Sequence, residues 1–273
     1  MIVGTFLLTS HDAISKWMTS SFTVGEVLIY RSLVPALFLL ALLLRSGGAP
    51  ALRPRAPRAN FTRAILGAAT SYLVVTAYSM IPLADALAII FASPIFVTAL
   101  SVPLLAERVG WRRWTAVMVG FFGVLVMVEP SGDFVRIGAL IAVAAALASA
   151  FRDVVTRGMG SGDTPTNIIF YTTLATGFAG VASLTFGTSG LPTLTEFAIM
   201  SAAGLLATVA QWLLVKALQL SEASFVIPLR YLAIVYGAMY GFLVFGEVPG
   251  VAQFLGAVIV VGSGIFIVRR QRQ

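Results

Sequence analysis

The 273-residue chain is 59% hydrophobic and only 11% charged, with a mean hydropathy of +0.96; a soluble domain carries about 25% charged residues, so a water-soluble fold is excluded. A net charge of +7 and a pI near 10.2 would suit a nucleic-acid binder only if the basic residues formed a patch, and they lie instead between apolar runs. With no cysteine and a single histidine, disulfides, thiolate sites and multi-histidine metal clusters are excluded, and no metal or cofactor is expected.

Apolar runs bounded by loop signals predict helices near residues 2–18, 25–44, 62–80, 84–105, 111–128, 136–155, 166–186, 194–216, 222–244 and 251–268. At about 1.5 Å per residue such runs cross a hydrocarbon core of about 30 Å. The expected fold class is all-α: a polytopic membrane protein with ten transmembrane helices. His11, Asp12 and Lys16 interrupt the first run, which also lacks a basic leader, so it reads as a span rather than a cleaved signal. The chain opens almost inside that helix, as one short of a few upstream residues would.

Residues 45–60 carry four arginines with Pro50, Pro54 and Pro57, a composition that predicts an extended, solvated loop. Residues 158–164 read as a flexible connector between the sixth and seventh spans. Placing the amino terminus in the cytoplasm puts most of the eighteen Lys and Arg residues on the cytoplasmic side. Only Lys16 and Arg136 fall on the opposite side, while Arg31 and Arg230 fall within spans. Both termini are therefore expected in the cytoplasm, and the protein in the plasma (inner) membrane in contact with its lipids.

The order of features repeats. In the first half, residues 78–86, from Tyr78 to Ala86, lead to Leu105-Ala106-Glu107-Arg108 and then a span containing Gly120 and Gly123. In the second, residues 215–223 lead to Phe245-Gly246-Glu247-Val248 and a span containing Gly256, Gly262 and Gly264. Residues 1–130 and 131–273 are thus expected to be two five-helix repeats within one transmembrane unit. An odd number of spans per repeat makes them inverted, an arrangement suited to alternating access.

The segments ending in Glu107 and Glu247, each followed by a glycine-bearing span, resemble the two EamA repeats of the drug/metabolite transporter superfamily. Asp12-Ala13-Ile14-Ser15-Lys16 and Tyr30-Arg31-Ser32 are similar to the opening of that family's first repeat. One departure is that Pro94 lies closer ahead of Glu107 than Pro228 does ahead of Glu247. The resemblance implies a secondary, ATP-independent transporter with ten helices and cytoplasmic ends, exporting or exchanging amino acids, including aromatic ones. Among its branches the chain looks most similar to the YddG-like amino-acid exporters; drugs and nucleotide-type metabolites are alternative cargoes.

Candidate site residues follow from the rarity of ionisable groups inside a bilayer. Thr5, Thr9, Asp12 and Lys16 share one helical face, where Asp12 either pairs with Lys16 at i, i+4 or binds substrate, and His11 stands beside them. Arg230, two residues after Pro228 and deep in its span, is suited to clasp a substrate carboxylate, with Tyr231 beside it. Arg31 lies nearer a span end and is expected to snorkel or to pair with Glu26. Tyr78, Ser79, Gln211 and Trp212 add aromatic and polar groups to a central cavity. Tyr236 with Tyr240 reads as an interfacial pair. Glu107 and Glu247 sit at span ends, where capping is the expected use. The Gly237/Gly241 and Ala116/Gly120 pairs suit close helix packing, internal or across a dimer, so monomer and dimer both remain open.

No catalytic residue is expected. An intramembrane metalloprotease would need an HExxH sequence, which is absent, and Gly160-Ser161-Gly162 has no base near it in sequence. A channel is disfavoured because no filter-forming sequence is present. The chain is thus expected to be a transporter of a small molecule rather than an enzyme or a nucleic-acid partner.

Overall fold

The computed structural model describes residues 1–105, 111–128, 133–158, 163–220, 232–248 and 250–270. Among the described residues there are eleven α-helices and no strand: α1 (Ile2–Met18), α2 (Val24–Gly47), α3 (Pro57–Met80), α4 (Leu83–Ile90), α5 (Ser93–Leu105), α6 (Trp111–Val128), α7 (Asp133–Gly158), α8 (Pro165–Ser183), α9 (Leu194–Leu220), α10 (Leu232–Phe245) and α11 (Val251–Arg270).

The expected fourth span is not one helix. It breaks at Phe91 and Ala92, between α4 and α5. Pro94 has no backbone N–H to give the carbonyl of Ile90, and a proline ring at that position clashes with the turn before it, so the first piece ends there. The expected start of the ninth span, residues 222–231, lies outside the described residues. The basic segment after α2 is also less extended than expected. It holds a 3-10 turn, Ala49–Leu52, and α3 already begins at Pro57.

α2 starts on a reciprocal cap. Glu26 N donates to Thr23 Oγ1 (3.3 Å) while Thr23 N donates to Glu26 Oε2 (2.9 Å). The second Glu26 oxygen accepts from the amides of Ser189 and Gly190, which ties α2 to the loop before α9. α8 repeats the device with different chemistry. Thr164 Oγ1 accepts from Asn167 N, and the Asn167 amide donates to the carbonyls of Ala51 and Leu52, binding α8 to the 3-10 turn after α2.

The packing has a regular plan. α1 packs on α9 and α3 on α7; α2 packs on α9 and α3 on α8; α1 packs on α10, and α4 and α5 on α7. α2 with α8, α6 with α11 and α4 with α10 complete it. Exchanging α1, α2, α3, α4–α5 and α6 for α7, α8, α9, α10 and α11 maps each of these contacts onto another one in the set. Bare glycines permit the closest approaches. A Cβ on Gly25 of α2 would stand 2.9 Å from the carbonyl oxygen of Gly180 on α8, and one on Gly123 of α6 would stand 3.1 Å from that of Gly256 on α11.

Stretches of α2, α7 and α9, and α4 with α5 taken together, are long and apolar enough to cross a membrane; the apolar stretches of α10 and α11 are shorter. The outer faces carry exposed Phe38, Met118, Phe178, Leu243 and Phe254. In water this belt would drive aggregation, and against lipid it is the matching surface. The largest buried cluster joins Ala77, Leu83, Ala86, Ile89, Ala142 and Val260, from α3, α4, α7 and α11.

Candidate functional site

A charged group inside a spanning helix is tolerated when other groups satisfy it, and the first half gathers several around α1. The stripe predicted on α1 is buried at Thr5, Thr9 and Asp12. His11, Asp12 and Arg31 are 7%, 9% and 8% exposed, so this is an interior cluster and not a surface patch. His11 Nδ1 lies 3.1 Å from Asp12 Oδ1. Arg31 Nη1, arriving from α2, stands 2.9 Å from His11 Nε2 and donates to Ser15 Oγ at 3.2 Å. Tyr78, buried on α3, lies within electrostatic reach of both Asp12 and Arg31.

Backbone features bring Arg31 to this place. Leu28, Arg31, Ser32, Pro35, Leu39 and Leu43 form the buried stripe of α2, at helical spacing. Pro35 cannot donate to the Arg31 carbonyl. Gly204 of α9 packs against that carbonyl so closely that a Cβ there would land on its oxygen, and it would stand 2.7 Å from Pro35 Cγ.

One turn further along α1 a second arrangement joins the two halves of the chain. Lys16 Nζ forms an ion pair with Glu247 Oε1 (2.8 Å) and donates to the carbonyl of Ile81 (2.6 Å). Glu247 Oε2 accepts from Leu83 N at 2.9 Å, filling one of the open donors at the start of α4. Asp85, in the first turn of α4, faces both Glu247 and Lys16. The Lys16 ammonium also stands 5.4 Å from the centre of the Phe245 ring.

Several sequence expectations change accordingly. Asp12 and Lys16 do not pair with each other, because each has a nearer partner on another residue. Arg31 neither snorkels nor pairs with Glu26; it turns inward to α1, and Glu26 serves the cap and the loop before α9. Of the expected site residues, the fold brings His11, Asp12 and Tyr78 together. Ser79 is exposed and donates to Thr76 O of its own helix at 2.8 Å. Gln211 and Trp212 lie on an exposed face of α9, outside the buried cluster. Arg230 and Tyr231 lie outside the described residues, as does Glu107. Tyr236 and Tyr240 pack on α1, their rings 5.4 and 6.2 Å from that of Phe6, and the Tyr240 hydroxyl is 2.7 Å from Ser10 Oγ. Gly237 packs against α4, so that pair serves an internal contact.

Arg31 and Ser15 were absent from the expected site. Their signal was present, since Ser15 follows His11 by one helical turn and Arg31 lies in line with the apolar stripe of α2. The cluster can hold a proton and an anion. The imidazole and carboxylate supply acceptors, and the guanidinium supplies a fixed positive charge whose Nε and Nη2 make no hydrogen bond among the described residues.

Comparison with known proteins bears on what such a cluster serves. The profile described as EamA-like transporter family matches residues 1–129 and 136–269. The chain is 28% identical to a riboflavin transporter of Rhizobium johnstonii, over 99% of this chain and 90% of that protein. It is 26% identical to an S-adenosylmethionine uptake transporter of Rickettsia bellii (99% and 94%) and 28% identical to a pseudopaline exporter of Pseudomonas aeruginosa (99% and 95%). A solved crystal structure shares the fold at a TM-score of 0.65 and 19% identity, covering 99% of this chain and 98% of its own.

Proposed function

The chain belongs to the EamA-like transporter family, and from that premise we propose that it carries a small carboxylate-bearing metabolite, amino acids and aromatic ones foremost, by alternating access. As a family member it is an integral membrane transporter of small metabolites and not an enzyme. The observation that carries the substrate reading is Arg31: a guanidinium, held in a spanning helix by neutral partners, with donors to offer a carboxylate in a bidentate fork. His11, Asp12 and Tyr78 line the same place, and aromatic side chains nearby suit a compact amphiphile. The expected contribution of Arg230 and Tyr231 remains part of this reading; Ser79, Gln211 and Trp212, on exposed faces outside the buried cluster, are left out of it.

The same reading has ten spans in two inverted five-helix halves, residues 1–130 and 131–273, with both termini in the cytoplasm. The two profile matches and the interchange of helix contacts support it. Two halves of opposite orientation can exchange conformations and open the site to each side in turn. Export, exchange or uptake then follows from the gradients of the cargo and of any ion that travels with it.

Purified protein in liposomes tests the reading with labelled L-phenylalanine, S-adenosylmethionine and riboflavin as probes. Saturable uptake of the two carboxylate probes, each competing with the other, is the expected result. A conductance that rises linearly with concentration would replace the transporter by a channel. A reporter fused within residues 45–60 should read cytoplasmic, and Arg230→Ala should weaken handling of the carboxylate probes.

A further inference from the structure

We propose that His11 is the proton-carrying residue of the transport cycle, protonated at Nε2 when Arg31 leaves it to bind the carboxylate of the cargo. This rests on the transporter reading and adds the coupling ion to it.

Geometry fixes the starting state. A guanidinium has donors only, so His11 Nε2, 2.9 Å from Arg31 Nη1, must present its lone pair. The ring is then neutral, its one proton on Nδ1 and directed at Asp12 Oδ1, 3.1 Å away. Arg31 thus excludes a second proton from His11 by occupying the atom that would take it.

The charges around the ring balance in this state. Arg31 is positive, Asp12 negative and His11 neutral. α3 contributes the Tyr78 hydroxyl, and α10 contributes the phenols of Tyr236 and Tyr240. Lys16 is paired with Glu247, and Asp85 faces that pair. On α9, Glu196 caps the first turn through Thr193, and the Lys216 side chain lies outside the described residues. On α8, Asn167, Thr172 and Thr176 are neutral.

An incoming carboxylate is a stronger partner for a guanidinium than an imidazole is. As Arg31 turns to it, His11 Nε2 keeps only the Ser15 hydroxyl, 3.4 Å away, within reach. It then takes a proton from a hydronium ion of the entering solvent, an O–H bond breaking as the N–H bond forms and a water molecule being left. No bond other than N–H is made. At the cluster itself the cargo's carboxylate adds one negative charge and the proton one positive, so the local sum is unchanged. The carboxylate is not left uncompensated in the bilayer interior, while a cargo's ammonium is met elsewhere in the cavity. Proton and carboxylate therefore enter together, leave together and travel in the same direction. An inward proton gradient favours uptake.

His11 is the single histidine of the chain, so ring-15N-histidine labelling of the full protein in lipid nanodiscs reports on this residue alone. At neutral pH without cargo, the spectrum should show one N–H nitrogen, Nδ1, and one bare nitrogen, Nε2. Arg31→Gln removes the positive charge and leaves Asp12 unbalanced, so the ring should become imidazolium at the same pH. Arg31→Lys keeps the charge and should keep the ring neutral, which guards against a merely structural effect. An Nε2–H tautomer in the parent protein, or a ring unchanged in Arg31→Gln, would overturn the proposal.

Liposome flux separates the two levels. With one proton per carboxylate, a gradient of one pH unit should sustain roughly tenfold accumulation of L-phenylalanine or S-adenosylmethionine, one unit being worth about 1.36 kcal/mol. Riboflavin, which has no carboxylate, should not respond, and His11→Gln should abolish the dependence. Saturable flux that ignores the gradient would sink the coupling and leave transport standing. No saturable flux of any probe would sink the transport reading itself.

Discussion

Two clusters of similar pattern sit on α1 and α7, the first helices of the two profile matches, and they differ in access to water. On α1 the pattern is His11, Asp12 and Ser15; on α7 it is Arg152, Asp153 and Thr156. In each a base bonds the next residue's carboxylate, at 3.1 Å for His11 with Asp12 and 3.0 Å for Arg152 with Asp153. In each an arginine from another helix donates to the hydroxyl, Arg31 to Ser15 and Arg63 to Thr156. The side chains of the α1 pair are 8% and 13% exposed, those of the α7 pair 24% and 39%. Around α7 a permanent cation meets a carboxylate in reach of solvent, an arrangement worth little energy and unable to change its charge. Around α1 the cation's place is taken by histidine, the residue that can change charge, and water is largely excluded. α7 thus holds a fixed tie and α1 a titratable site.

The largest effect that would sharpen this contrast is expected from Arg31→Ala. Removing one member of a buried charged cluster costs about 3–5 kcal/mol, so thermal unfolding in detergent should show a large loss. Arg63→Ala should cost much less, since its bonds to Thr156 and Thr172 are part-buried whereas those of Arg31 are buried. Equal losses would break the comparison.

Next in size is Gly204→Ala. Its Cβ would meet the Arg31 carbonyl, and a forced backbone shift of this kind costs about 1–3 kcal/mol. Gly262→Ala, where no atom lies within 4 Å of the added Cβ, is the matched control and should leave stability near its parent value. A smaller effect belongs to the tie between halves. A double-mutant cycle of Lys16→Ala and Glu247→Gln should give a coupling of about 1 kcal/mol, and additive losses would mean that the pair contributes nothing. The smallest differences should come from the caps. Thr23→Ala and Thr164→Ala are each expected to cost about 1 kcal/mol, with Thr23 somewhat the greater because its Glu26 partner would also lose alignment toward Ser189 and Gly190.

The helical spans were legible because lipid demands long apolar runs, and the α1 stripe was legible because spacings of four, three and four residues return to one face. The break in α4–α5 was legible in principle from Pro94, but a run of apolar residues on both sides masks it in a hydropathy reading. Partners were not legible. Arg31 reads as the neighbour of Glu26 along the chain, yet the nearer groups in space are His11 and Ser15 on α1, and Glu26 is engaged by the amides of residues 189 and 190. Ser79 shares a helical face with Tyr72 and Thr76, but it lies in the last turn of α3, where its hydroxyl closes back on the helix. Gln211 and Trp212 are polar enough to suggest a lining, and only the packing of α1 and α2 against the opposite side of α9 reveals which face they occupy. Spacing gives the face of a helix; the neighbour that covers it depends on the rest of the fold.

The claim that the α1 cluster carries transport while its α7 counterpart does not is tested most directly by liposome uptake of labelled S-adenosylmethionine and L-phenylalanine by Arg31→Gln and Arg63→Gln proteins, matched for folded content. Arg31→Gln is expected to lose saturable uptake and Arg63→Gln to retain it. Uptake that survives in Arg31→Gln and fails in Arg63→Gln would contradict it.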